Sequence, residues 1–227
     1  MNVDLLYRPS YSVARVRLDP GELIRAESGA MVGMTNVEMS TGTRGGLLKS
    51  LARSVLGGES FFINTFTASA QGGEVLLAPA LPGDVVTYPM QGDPIMVQSG
   101  SYLASSDGIE VDTKWGGAKT FFASEGLIML KCSGRGNLLL SSYGAIHEVE
   151  LSAGTSYTVD TGHLVAFGEK MGFKVRTIGG VKATVFGGEG LVVDLHGPGK
   201  VLLQTRSEGS FLAWLLPKLP KPSSSSR

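Results

Sequence analysis

Three stretches of this chain carry the same local signals in the same order, and that recurrence limits the fold more than any other feature. Each opens on a small residue followed by glycine: Ser28-Gly29, Ser99-Gly100 and Thr161-Gly162, at spacings of 71 and 62 residues. A segment of alternating apolar and polar residues follows, Val37 to Met39, Ile109 to Trp115 and Phe173 to Thr177. Next come a Gly-Gly pair (Gly57-Gly58, Gly116-Gly117, Gly179-Gly180) and an aromatic segment (Phe61-Phe62, Phe121-Phe122, Val185-Phe186). A glycine turn then opens an apolar run: Gly72-Gly73 before Val75-Leu76-Leu77, Gly134-Arg135-Gly136 before Leu138-Leu139-Leu140, and Gly197-Pro198-Gly199 before Val201-Leu202-Leu203. A unit of this length buries too little apolar surface to stand alone, so three units are expected to close around a shared core. The approximate units are residues 13–86, 87–149 and 150–206.

The local period is two. Ile109, Val111, Thr113 and Trp115 fall on one face of an extended segment, Glu110, Asp112 and Lys114 on the other. Arg15 to Leu18 and Glu148 to Leu151 alternate in the same way, which is the pattern of half-buried strands. Glycine is 32 of 227 residues, about double the usual ~7 %, and it clusters at the ends of these segments. Many short strands bounded by turn residues predict an all-β sandwich or barrel.

Two segments depart from the repeat. Between the alternating strand and the Gly-Gly pair of the first unit lies an insertion, residues 44–56. Its Leu47, Leu48, Leu51, Ala52, Val55 and Leu56 fall on one helical face, with Arg44, Lys49 and Arg53 off it, and the spacing predicts a short amphipathic helix. After the third unit, Phe211 to Leu216 is apolar and ends at Pro217, and the remainder of residues 207–227 reads as a Pro/Ser-rich disordered tail. Leu47, Leu48, Leu51, Arg53 and Leu56 in the insertion and Phe211, Trp214 and Leu215 in the tail are the candidate partner-contact residues. The inserted helix packs on its own barrel as a plug or lid, or within an oligomer, on one reading, and the leucines and aromatics of both segments suit a protein interface or a membrane surface on the other.

Charge and chemistry exclude more than they suggest. Lys+Arg and Asp+Glu number 20 each, so the chain lacks the basic surplus that nucleic-acid binding calls for. The single Cys132 leaves no intrachain disulfide, and it is read as a buried small residue. The start of the chain lacks a signal-peptide apolar core and no run is long enough to span a bilayer, so a cytoplasmic protein, peripheral to a membrane if it meets one, is expected. Nucleophile elbows and phosphate loops are missing. Glu110 with Asp112 and Glu148 with Glu150 sit on expected solvent-facing strand faces. The histidines are His147, His163 and His196, and Asp194-x-His196 is the best local metal pair, without a second cluster to support it. No catalytic, cofactor or metal residue is therefore assigned, and a non-enzymatic protein is expected.

Glu22-Leu23-Ile24-Arg25-Ala26-Glu27-Ser28-Gly29-Ala30-Met31, Gly57-Gly58-Glu59-Ser60-Phe61-Phe62, and Gln204-Thr205-Arg206-Ser207 with Trp214 downstream closely resemble the bacterial and archaeal family of uncharacterised proteins related to the altered-inheritance-of-mitochondria protein 24. The resemblance covers about residues 1–216. It implies a fold like that of the trp RNA-binding attenuation protein, a double-stranded β-helix or jelly-roll-like sandwich repeated around a pseudo-threefold axis. It also implies homo-oligomers, trimers foremost. The mitochondrial relatives are linked to inner-membrane organisation, and no reaction comes with the family. The reading is a homo-oligomeric scaffold that binds a partner, at a membrane face among other settings. The alternative is a small-molecule or metal binder that would bring His163 or His196 together with carboxylates, and RNA binding stands third.

Overall fold

A computed structural model describes residues 1–41, 54–56, 59–112, 128–178 and 191–220. Among these described residues, twenty strands fall into three sets. The first holds β1 (Asn2–Leu6), β2 (Val13–Leu18), β3 (Leu23–Glu27), β4 (Met31–Thr35), β5 (Val37–Thr41), β6 (Ser54–Leu56), β7 (Glu59–Phe61), β8 (Ile63–Ala68) and β9 (Gly73–Leu77). The second holds β10 (Val85–Gln91), β11 (Ile95–Gln98), β12 (Tyr102–Ser106), β13 (Ile109–Asp112) and β14 (Met129–Ser141). The third holds β15 (Ile146–Leu151), β16 (Ser156–Asp160), β17 (Leu164–Gly168), β18 (Gly172–Thr177), β19 (Leu191–His196) and β20 (Gly199–Gln204). The repeating strands of the sets open at Val13, Val85 and Ile146, so the expected cuts at 86/87 and 149/150 fall inside β10 and β15.

Each set repeats one antiparallel pattern. β2 and β4 flank β9 while β3 and β5 flank β8. β15 and β17 flank β20 while β16 and β18 flank β19. In the second set one long strand does both jobs. β11 and β13 pair with the first half of β14, β10 and β12 with its second half, and Gly134 and Gly136 at the change-over have φ of 115° and 143°. A bulge recurs at the same place in all three sets, between Met31 and Gly33, Tyr102 and Ala104, and Leu164 and Ala166. The all-β expectation and the threefold repetition both hold.

The sequence accounts for the strands locally. In β2, Ala14, Val16 and Leu18 are buried, while Arg15 and Arg17 point outward to Asp4 on β1 at 2.8 and 3.0 Å. The insertion of the first set is described only at its last three residues. Its residues 42–53, which include Leu47, Leu48, Leu51 and Arg53, lie outside the described residues. Leu56 and Val55 are not helical: Ser54–Leu56 pairs with Glu59–Phe61, Leu56 opposite Glu59. The sequence between these partners is Gly57-Gly58, a composition that favours a hairpin connection over a continued helix.

The cores are shared between sets. The first contains Ile24, Phe66, Val75 and Leu77 together with Leu103, Ala104 and Leu139 of the second set. The second contains Ile95, Val97, Leu130 and Leu138 together with Val165, Ala166 and Leu202 of the third. Strand pairing crosses at the same places: β3 with β12 through Ala26 and Ala104, and β11 with β17 through Val97 and Ala166. The connections also lock together. Gly83 bridges Gly144, and a Cβ on Gly83 would stand 1.7 Å from the Ser142 carbonyl oxygen, so only glycine fits.

Asp84 anchors the start of the chain to this junction. Its carboxylate, 3 % exposed, accepts from Arg8 Nε at 2.7 Å, Arg8 Nη2 at 2.8 Å and Ser12 Oγ at 3.1 Å. Burial alone would raise its pKa, but the Arg8 fork and the Ser12 hydroxyl outweigh burial and hold it below the usual carboxylate range. A carboxyl depressed in the folded state contributes stability that is present above its unfolded value, about 3.9, and is lost as pH falls through the folded one. We therefore expect Asp84→Ala to cost about 2–3 kcal/mol at pH 7, measured by urea unfolding, with the difference from wild type shrinking below pH 4.

Candidate functional site

Of the three small-Gly turns that mark the repeat, two line one cavity of about 430 Å³. The second and third of them are 3-10 turns, Ser99–Ser101 and Thr161–His163, that link β11 to β12 and β16 to β17. They supply Gly100, Ser101, Thr161 and Gly162 to the wall, and Glu27 comes from the end of β3, just before the first. The rest of the wall follows the closing strand of each set: Pro79 to Leu81, Ser141 to Tyr143, and Gln204 with Ser207 to Gly209. Glu27 and Glu208 are the charged residues of the lining, which otherwise presents hydroxyls, amides and small apolar groups. Such a surface suits neutral polar or cationic groups and repels anions.

Gln204 holds two sets together at this wall. Its Oε1 accepts from the Tyr143 backbone N–H at 2.8 Å, and its Nε2 donates to the Gly162 carbonyl at 2.9 Å. Its own carbonyl lies 2.7 Å from His163 Nδ1. Gly162 is required there because a Cβ would stand 2.6 Å from Ser207 Oγ. That hydroxyl accepts from the Ser210 backbone N–H and caps helix α1 (Glu208–Leu215), whose first turn carries Glu208 at the positive end of the helix dipole.

The tail thus starts at the cavity rim and runs onto the surface. The Tyr143 ring meets Phe211 edge-on at 6.2 Å, Phe211 and Trp214 stack at 6.2 Å, and the Lys218 ammonium stands 4.7 Å from the Trp214 ring centre. Of the tail residues proposed for contact, Phe211 and Trp214 stand together on this surface, and Leu215, on the same helix, is half-buried. Trp214 remains 59 % exposed. Proline does not end the ordered tail: Leu216–Lys218 adds a 3-10 turn that contains Pro217, and residues 221–227 lie outside the described ones.

The residues that carry chemistry elsewhere are occupied here. Burial pushes the Cys132 thiol up to about 12. Asp194 is held at about 2 by Arg176, at 2.6 Å, and by Thr158, also at 2.6 Å, so its pairing with His196 along β19 leaves no free carboxylate. His163 turns to the Gln204 carbonyl. Among the described residues no group of three or more His, Cys, Asp and Glu side chains could hold a metal ion, so His163 and His196 do not gather carboxylates into a site. Sequence reading misses the Gln204 bridge, although Gln204 opens one of the motifs that carry the family resemblance.

Known proteins share this architecture. The family model described as mitochondrial biogenesis AIM24 matches residues 3–206. An uncharacterized protein of Streptococcus pyogenes serotype M6 is 28 % identical over 222 residues, which span 94 % of this chain and 89 % of that protein. The crystal structure of a Streptococcus pyogenes protein superposes with a TM-score of 0.80 at 25 % identity, covering 96 % of this chain and 99 % of its own.

Two outcomes follow from the geometry. Gln204→Ala should cost about 1–3 kcal/mol in urea unfolding, because it strands the Tyr143 amide and the Gly162 carbonyl. A disulfide reagent such as Ellman's should titrate no thiol in the native protein at pH 8 and one per chain after denaturation; rapid native labelling would contradict the burial of Cys132.

Proposed function

The chain belongs to the mitochondrial biogenesis AIM24 family, and from that membership and the exposed apolar tail we propose a non-enzymatic, homo-oligomeric β scaffold that carries a partner-docking helix, working in the cytoplasm at a membrane surface. The exposure of the tail carries this reading. Phe211 and Leu212 are each 39 % exposed, Trp214 59 %, Leu216 61 % and Leu219 50 %, all within one short segment anchored by Ser207 and Tyr143. Apolar groups left in water at this density mark a docking surface, since each square ångström removed from water contributes about 25 cal/mol. A tryptophan ring with a lysine across its face suits the boundary between lipid headgroups and acyl chains. No helix among the described residues is long and apolar enough to cross a membrane, so the proposed contact is peripheral. The occupied state of Cys132, Asp194 and His163 supports a structural rather than a catalytic role.

Flotation with phosphatidylcholine/phosphatidylglycerol vesicles at low salt tests this. Full-length protein should float, and the Phe211→Ser, Trp214→Ser double variant should stay at the bottom with an unchanged circular dichroism spectrum. Wild-type protein that fails to float would remove the membrane part and leave the helix to a protein partner. The cavity supports a second reading, a small polar or cationic ligand held between the three sets. A stabilising shift in Tm across a panel of polyols and amines, abolished by Glu27→Gln, would favour it.

A further inference from the structure

Two of the three joints that the repeat calls for are made, and the third is open. Strand three of the second set (β12) pairs with strand two of the first (β3), and strand three of the third set (β17) pairs with strand two of the second (β11). The matching partners for a third joint are β4 and β16, and among the described residues each ends its sheet unpaired on its outer side. Burial tells the same story. Leu103 and Val165, the bulge residues at the two made joints, are both 0 % exposed, whereas their counterpart Val32 is 61 % exposed. Met34 is 44 % exposed, against 0 % for Ser105 and Phe167 at the same position.

The cores agree. The first takes in Leu103, Ala104 and Leu139 from the next set and the second takes in Val165, Ala166 and Leu202; the third draws Met96 and Met129 from the set before it and, among the described residues, has no equivalent of those trios. Its missing members would be Val32, Gly33 and Leu76. The edges themselves are unguarded. Six other sheet edges carry a charge or proline that deters pairing, Asp4 on β1, Glu38 on β5, Pro89 on β10, Glu110 on β13, Glu148 on β15 and Lys174 on β18. β4 reads Met-Val-Gly-Met-Thr, and β16 is uncharged until Asp160 at its end.

We propose that β4 of one copy pairs with β16 of a second copy, in the register of the internal joints, and completes that copy's third core. The spacings of 71 and 62 residues that superimpose the repeats place Gly33 opposite Val159, Met34 opposite Thr158 and Thr35 opposite Tyr157. Each copy offers one edge of each kind, so the contact is head-to-tail, the kind that generates a ring where the rotation between copies closes. This rests on the oligomeric part of the proposed function and not on its tail.

Sedimentation of the full chain and cysteine pairing test it. Wild-type protein should sediment as an oligomer, and Val32→Lys with Met34→Lys should reduce it to the 23.8 kDa chain with an unchanged circular dichroism spectrum. Both positions are exposed in one copy, so the lysines do not burden its fold. Met34→Cys protein mixed with Thr158→Cys protein should give a disulfide-linked dimer on mild oxidation, at least tenfold more than either alone. If the double lysine variant remains oligomeric, or the mixed cysteines do not cross-link, this edge is wrong while the oligomer stands. If the chain carrying both cysteines closes on itself as a monomer, the joint is internal and the proposal falls. If wild type is a monomer at every concentration, the oligomeric scaffold falls with it.

Discussion

Much of this fold depends on one exchange: the second and third sets of strands each lend side chains to the core of the set before them. Leu103, Ala104 and Leu139 fill the first core, and Val165, Ala166 and Leu202 fill the second. A buried leucine contributes roughly 1.5–3 kcal/mol, so the loans are a large part of what holds each sandwich closed. The strand pairings β3–β12 and β11–β17 run alongside these loans and fix their register, since a slip by one residue would turn the lent side chains to the opposite face. The recurrent bulge re-aims Leu103 and Val165 into a neighbour.

The same exchange positions the cavity. Because the sets are held edge to edge, their turns and the ends of their closing strands gather on one side, where Gln204 and the Gly83–Gly144 bridge tie the connections together. The tail helix leaves from this cluster with its direction set by the Ser207 cap and the Tyr143 ring. The apolar tail is thus moored at a hydrogen-bonded junction between sets, which gives the helix a defined starting point.

Much of this is legible in the residues. The turn dipeptides and the strands that follow them keep the same spacings, so the threefold repeat can be read from residue order alone. The pairing of Ser54–Leu56 with Glu59–Phe61 cannot, because a leucine spacing of four is shared by helix and chance. Gln204 escapes notice because its partners are backbone groups 42 and 61 residues away, which no local pattern reveals. The open joint is hidden for a simpler reason. Val32 is as apolar as Leu103 and Val165, and only the neighbour's presence separates a covered strand from a bare one.

Core sharing also separates the unit of repetition from the unit of folding. A ribosome releases the first nine strands long before Leu139 has been made, and until then the sandwich around Phe66 lacks its last wall. The nascent chain must carry an unfinished hydrophobic face through synthesis of the whole second set, and the second set in turn waits for Leu202. Maturation therefore advances along the chain one repeat late, like a zip whose slider trails the teeth.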